Sequence, residues 1–429
     1  MCKTSKKGLR CQICTGCGLC PGVMPADEIS GGADSATAPE GGSSGRLQVL
    51  TEDALRGGRI PFAKNGKRLA VADIGTTTIA MLLYGTDGNV EERFVEVNPQ
   101  TVYGADVLSR IKAAEEPSVA AEMQKMVRDV LEKGLKKFKR KLSAEEELYL
   151  AAAANTTMTY LLMGWNPAEL GQAPFEASRL SGAEWMSGDV RSFVLPGFSA
   201  FVGGDILAGC CACGIADRKE ITLLIDLGTN GELLLGNCDR RIACATAAGP
   251  AFEGGAARGI WGADMIRLLA ILRRNDILDE TGLLAEPYFE KGIRIGNVCV
   301  TREAVRSVQL AKAAIAAGID ILLEKYGISG REVDRIVLAG GFGYYLNPAD
   351  AAEIGLLPYD FMDRTVPGGN TALRGALCAG RELLSSGWEN VRGKLEEYKR
   401  DTEIVNLAME PEFNERYIKH MEFSYITAD

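Results

Sequence analysis

Two short stretches combine an aspartate, a glycine and threonine at nearly the same spacing: Asp73-Ile-Gly75-Thr76-Thr77-Thr78 and Asp226-Leu-Gly228-Thr229-Asn230-Gly231. A carboxylate at a strand end can hold a hydrated Mg²⁺, a cation that takes few protein carboxylates and keeps several waters. Glycine lets backbone approach phosphate oxygens closely, and threonine hydroxyls with loop N–H groups donate to them. Either turn alone is equally well read as a polar hairpin. Two facing each other could grip a polyphosphate from both sides, with Mg²⁺ between Asp73 and Asp226. A third stretch, Leu338-Ala-Gly340-Gly341-Phe-Gly343, is a strand end followed by side-chain-free backbone that can lie flat against a nucleoside. No Gly-x-x-x-x-Gly-Lys-Ser/Thr run occurs, which excludes a Walker-type loop.

The other chemistry-bearing cluster is at the start of the sequence. Cys11-x₂-Cys14-x₂-Cys17-x₂-Cys20-Pro21 is one residue shorter than the bacterial ferredoxin run. Four closely spaced thiolates suit a [4Fe–4S] cluster. Zinc is the alternative, although its cysteines usually fall in two separated pairs. Cys2 could replace one of the four. Cys210, Cys211 and Cys213 fall on one predicted helix, with 210 and 213 sharing a face. They read as small buried side chains, with a redox or second-cluster role as the alternative, and Cys238, Cys244, Cys299 and Cys378 read as core.

These residues need elements to position them. Arg68–Asp73 and Ile79–Tyr84 read as the arms of a hairpin, and Thr222–Asp226 with Glu232–Gly236 repeats the plan. Met123 to Phe138 carries apolar residues at helical spacing. Leu148–Ala154 reads as a buried strand, with Asn155 as the N-cap of a following helix. A long helix is predicted from Arg302 to about Tyr326, and a strand over Asp334–Ala339. From Pro21 to about Gly45 the chain is rich in Gly, Ser, Ala and acids and reads as a tether.

With 429 residues, 46% hydrophobic and 24% charged, the chain has the composition of a globular protein of two to three domains. Its 48 basic against 57 acidic side chains argue against nucleic-acid binding. A single histidine, His420, leaves little room for imidazole chemistry. No apolar run is long enough to span a membrane, and Met1–Lys7 lacks the apolar core of an export signal, so a cytoplasmic location is expected. The lysines from Lys133 to Lys141 read as a solvated helix face.

From Arg68 to Leu384 the sequence resembles the ASKHA superfamily of acetate and sugar kinases, chaperone ATPases and actin. The resemblance implies an α/β fold of two actin-like, ribonuclease H-like lobes. It implies two phosphate loops, at Asp73–Thr78 and Asp226–Gly231, and an adenosine motif at Gly340–Gly343. Gly204-Asp205-Ile-Leu-Ala-Gly209 fits the first connecting helix, with Asp205 similar to the carboxylate that orients the attacking water; a helix-capping role is the alternative. Leu310–Gly318 fits the second connecting helix, with Lys312 counted among the nucleotide-binding residues. Asn98-Pro-Gln100-x-x-Tyr103-Gly-Ala-Asp106-Val-Leu-Ser-Arg110, Asn155-Thr-Thr-Met158, Phe201-Val-Gly-Gly-Asp205 and Ala247-Ala-Gly-Pro-Ala-Phe-Glu253-Gly-Gly255 are similar to the ATP-dependent reductive activators of corrinoid proteins. That family implies ATP, Mg²⁺ and an iron–sulfur cluster as cofactors. Its partners are a corrinoid protein, or another low-potential redox protein, and a reduced electron carrier, with a homodimer left open. The chain departs from the pattern in lacking the Cys-x₄-Cys-x₂-Cys ferredoxin signature. The expected layout is a cysteine-rich segment (1–22), a flexible linker (23–66), lobe I (67–219), lobe II (220–384) and a helical tail (385–429). A small-molecule kinase and a nucleotide-sensing scaffold with structural zinc are the rival readings.

Overall fold

A computed structural model describes residues 66–228, 230–252, 262–295, 298–341 and 343–425, together with the backbone of Val23–Pro25. Cys11, Cys14, Cys17, Cys20, Thr229 and most of the expected linker lie outside the described residues.

Lobe I opens with an antiparallel meander of β2 (Lys67–Ile74), β3 (Thr78–Tyr84) and β4 (Val90–Val97). It continues through α1 (Val107–Ala113), α2 (Pro117–Lys139), β5 (Glu147–Ala154), α3 (Thr156–Met163), β6 (Ala183–Ser187), β7 (Val190–Val194) and α4 (Gly204–Cys213). The sheet order is β4-β3-β2-β5-β7-β6, with β2, β5 and β7 parallel. Lobe II starts with β8 (Thr222–Leu227), β9 (Gly231–Gly236) and β10 (Arg241–Thr246). α5 (Gly262–Arg274), α6 (Arg302–Tyr326), β13 (Arg335–Ala339), α7 (Pro348–Glu353), β14 (Thr365–Gly369) and α8 (Thr371–Ser386) follow. Its sheet order is β14-β13-β8-β9-β10, extended by β15 (Thr402–Val405). Five strands of each lobe therefore share one connectivity: three antiparallel, then two parallel to the first.

The central strands are apolar along their whole length because helices cover both faces. Strand periodicity then decides where each residue points. On β2, Ala70, Ala72 and Ile74 pack under α2 and α3, whereas Leu69 and Val71 face α4 and α8. On β8, Leu223, Ile225 and Leu227 pack under α5 and α6, whereas Leu224 faces the same α4–α8 layer. The molecule is thus a stack of helices, sheet, helices, sheet and helices, with α4 and α8 in the middle. Their contact is close: a Cβ on Gly375 of α8 would lie 2.0 Å from the Ala208 carbonyl oxygen of α4.

Three expectations change. The helix that crosses α4 is α8, not the one containing Leu310–Gly318. That segment lies within α6, whose Ala311, Ile315 and Ile319 pack behind the lobe II sheet, and its small residues serve that packing. Val23–Pro25, inside the expected linker, forms β1, which pairs antiparallel with β11 (Ile293–Ile295), itself paired with β12 (Val298–Val300). The segment after 384 is not wholly helical. Between α9 (Trp388–Arg400) and α10 (Phe413–Lys419) it supplies β15, which covers the β10 edge. An uncovered edge would leave backbone donors and acceptors open to unwanted pairing.

Candidate active site between the two sheets

Asp73 has the parity of Leu69 and Val71, and Asp226 that of Leu224, so both carboxylates face the α4–α8 layer from opposite sheets. The start of each helix meets them. Asp205 stands in the first turn of α4. Asn370 caps α8, accepting the Leu373 N–H at 2.7 Å, and donates its amide to Asp73 Oδ2 at 2.8 Å. Next to it, Thr371 directs its hydroxyl at Asp226 Oδ2, 3.5 Å away. Consecutive residues of one helix therefore reach the aspartates of both lobes. Glu232 is the Cα partner of Asp226 across the hairpin and shares its face. In lobe I the position opposite Asp73 is Ala80.

The electrostatics follow from this crowding. Asp73 is pushed up to about 6 by burial, against the pull of the Asn370 amide. Burial also raises Asp205 to about 7, helped by the charge on Asp73. Asp226 is raised to about 7 by burial and then by Asp205 and Asp73. Glu232 is raised well above its usual range by burial, then by Asp205 and Asp226. Four half-buried carboxylates crowded together repel one another, which favours their protonated forms. Among the described residues, no group of three His, Cys, Asp or Glu is arranged to hold a metal ion directly. The positive ends of the α4 and α8 dipoles favour anions at the same place.

The glycine strand end joins the site. Gly340 has φ +84, and a Cβ there would lie 2.4 Å from the Leu227 carbonyl oxygen and 2.5 Å from Asp226 Oδ1. Just beyond Gly343, Tyr345 lines a cavity of about 410 Å³ with Ala263, Asp264, Arg267, Ile271 and Arg274.

The structure thus brings together Asp73, Asp205, Asp226 and the turns holding Gly75–Thr78, Gly228, Asn230–Gly231, Gly340, Gly341 and Gly343. Lys312 takes other partners. It is fully buried, with its ammonium donating to the Glu422 carbonyl and lying over the Phe423 ring. Burial lowers it to about 7. His420 also sits apart, buried against Asp320 at 2.6 Å. Cys210 and Cys213 are buried, and dehydration raises them to about 12 and 11, so neither is a ready thiolate. Of the cysteines expected in the core, Cys244 is buried, Cys238 and Cys299 are half-buried, and Cys378 is exposed. Lys133, Lys137 and Lys141 pair with Glu96 and Glu92 of β4, Lys139 with Asp189, and Lys136 with Glu132 of its own helix. Glu232, Asn370 and Thr371 were missed. For Asn370 a signal existed, since Asn following Gly368-Gly369 and preceding an apolar-periodic run marks a helix cap.

A duplicated sheet with an aspartate closing the first strand of each copy, and two helices crossing between, defines an ASKHA-type nucleotide-binding protein. Residues 69–218 match the RACo middle region, and residues 220–258 and 255–428 match the C-terminal ASKHA domain of RACo. The corrinoid activation enzyme RamQ of Eubacterium limosum is 31% identical over 422 residues, covering 82% of this chain and 69% of that protein. The chain belongs to this family of corrinoid activators. The Co(II) methylated amine-specific corrinoid protein reductase of Methanosarcina barkeri is 25% identical over 249 residues, 46% of each chain. A solved structure of a reductive activator for corrinoid, iron-sulfur protein superposes with a TM-score of 0.73 at 28% identity, covering 85% of this chain and 67% of that one.

Proposed function

We propose that this protein is an ATP-dependent reductive activator, coupling ATP hydrolysis to delivery of a low-potential electron to a corrinoid protein. The observation that carries the reading is the clasp in which Asn370 and Thr371 hold Asp73 and Asp226 from opposite lobes beside Asp205. The family relationship supplies the direction of the chemistry. In the clasp, Asp73 and Asp226 would hold Mg²⁺, which when bound would offset the charge on the triphosphate. The 75–78 and 228–231 turns, including Thr229, receive the phosphates. Asp205 orients the attacking water. The Tyr345 cavity takes the nucleoside against the Gly340–Gly343 backbone. Lys312, given its partners, is left out of the set.

Lobe closure over nucleotide would move α4 against α8, the hinge-bending expected of two packed lobes. For a one-electron step, about 59 mV changes the equilibrium constant tenfold, so an uphill transfer needs a coupled process. Cys11, Cys14, Cys17 and Cys20 are the proposed ligands of an iron–sulfur cluster, which would supply one-electron chemistry when bound. A cytoplasmic location is part of this proposal. Among the described residues, no helix is long and apolar enough to cross a membrane.

The test is a reduction assay. Anaerobically prepared protein, a reduced carrier and a Co(II) corrinoid protein are mixed, and Co(I) is followed by absorbance with and without ATP. Formation of Co(I) is expected to need ATP and to fail with Asp226→Asn. Equal rates without ATP would refute the coupling. Transfer of phosphate to a small molecule would favour a kinase.

A further inference from the structure

Two sequence runs that the aspartate clasp does not use, Asn98–Arg110 and Asn155–Met158, meet behind the 75–78 turn. Asn98 Nδ2 donates to the Gly75 carbonyl at 2.9 Å, and the Arg110 guanidinium donates to the Thr76 carbonyl at 2.6 Å. The backbone N–H of Asn98 donates to the Thr77 carbonyl at 2.9 Å. Three successive carbonyls of the turn are therefore held from one side. In a planar trans peptide, C=O and N–H point in opposite directions, so the N–H groups of Thr76, Thr77 and Thr78 turn away from these donors. Successive N–H groups presented this way form an anion-binding concavity.

The holding residues are themselves fixed. Asn98, Gln100 and Arg110 are fully buried. Asn98 Oδ1 accepts the Gln100 N–H at 3.0 Å, and Arg110 Nε donates to the Gly104 carbonyl at 2.9 Å. Asn155 caps α3 by accepting the Met158 N–H at 2.9 Å, and donates to Thr76 Oγ1 at 3.1 Å. Arg110 adds a permanent charge one peptide behind the turn. A cation on the Thr76 carbonyl polarises the Thr76–Thr77 peptide and makes the Thr77 N–H a stronger donor.

We propose that Asn98, Arg110 and Asn155 are positioning residues that shape the 75–78 turn to receive the triphosphate, leaving nucleoside recognition to lobe II. This rests on reading the cleft as an ATP site. The test measures binding of Mg-ATP and of adenosine to the full chain by titration calorimetry, with thermal unfolding as the check on folding. Arg110→Gln is expected to lose at least tenfold in Mg-ATP affinity while adenosine affinity stays within twofold, and Arg110→Lys to recover part of the loss. If the Gln variant does not fold, Asn98→Ser reads the same ratio, because serine keeps an acceptor for the Gln100 N–H but loses the donor to Gly75. A folded variant with Mg-ATP affinity within twofold of wild type, or with equal losses for ATP and adenosine, overturns this inference alone. A wild-type chain that binds no Mg-ATP ends both this inference and the reading beneath it.

Discussion

Replacing Gly375 with alanine tests whether the α4–α8 crossing sets the site. The added Cβ would meet Ala208 O at 2.0 Å, its carbonyl carbon at 2.3 Å and its Cα at 2.4 Å. Ordinary contact begins near 3.4 Å, so the shortfall against the oxygen is 1.4 Å. Helix propensity works the other way, since alanine gains about 0.8–1.0 kcal/mol over glycine inside a helix. Overpacking costs about 1–3 kcal/mol, and here the neighbour is backbone, which cannot rotate aside. A backbone clash this short belongs in the upper half of that range, about 2–3 kcal/mol, so the clash wins and leaves a net loss of roughly 1–2 kcal/mol. At about 2–4 °C per kcal/mol this lowers Tm by a few degrees. Separating the helices also draws Asn370 off Asp73, where the hydrogen bond is 2.8 Å, so ATP hydrolysis should fall about tenfold or more. Gly380→Ala is the control on the same helix. Its Cβ would meet the Leu69 methyls at 2.9 Å, which a side-chain rotation can draw back, and Ala151 Cβ at 3.0 Å, where the backbone must yield by a few tenths of an ångström, a milder clash than 2.0 Å against a carbonyl oxygen. Calorimetry and an ATPase assay on both variants decide the matter. A Gly375→Ala protein that unfolds no lower than Gly380→Ala, with full turnover, would show that the crossing has slack and the reasoning is wrong.

Two further outcomes are expected. Burial and the neighbouring Asp205 and Asp73 push the Asp226 carboxyl up to about 7 in the folded chain, against 3.8 for an unperturbed aspartate. The folded state then binds more protons than the unfolded one between these values, so this group's contribution to stability falls as pH rises from about 4 to about 7. In nucleotide-free protein, Asp226→Asn should raise Tm at pH 8 and do so much less at pH 4.5; a gap independent of pH would count against a dehydrated carboxylate. Separately, Cys14→Ser with Cys17→Ser should remove bound iron, measured with sulfide after anaerobic purification, and leave Mg-ATP affinity unchanged. Iron retained at the wild-type level would move the ligands elsewhere.

Much of the candidate site was legible from local pattern. Strand parity places Asp73 and Asp226 on definite faces, and Asn155 announces the cap of α3, which it makes at 2.9 Å to Met158 N–H. The Arg302–Tyr326 helix runs as its periodicity predicts. What misled was composition without context. Leu310–Gly318 and the segment around Gly375 are both rich in small residues, and either could suit a close helix crossing. Only packing shows that one lies behind the lobe II sheet while the other touches the Ala208 backbone.

The sequence by itself determined the residue types, the strands that carry the two aspartates and the Asn155 cap, because apolar runs, turns and capping act over a few residues. Tertiary structure alone decided that Asn370 and Thr371 reach aspartates 297 and 145 positions away, that Glu232 joins them, and that Asn98 and Arg110 hold the back of the 75–78 turn. Those pairings depend on which helix lies between the sheets, and no short-range preference encodes that choice. The burial of both lobes against a shared helical layer does.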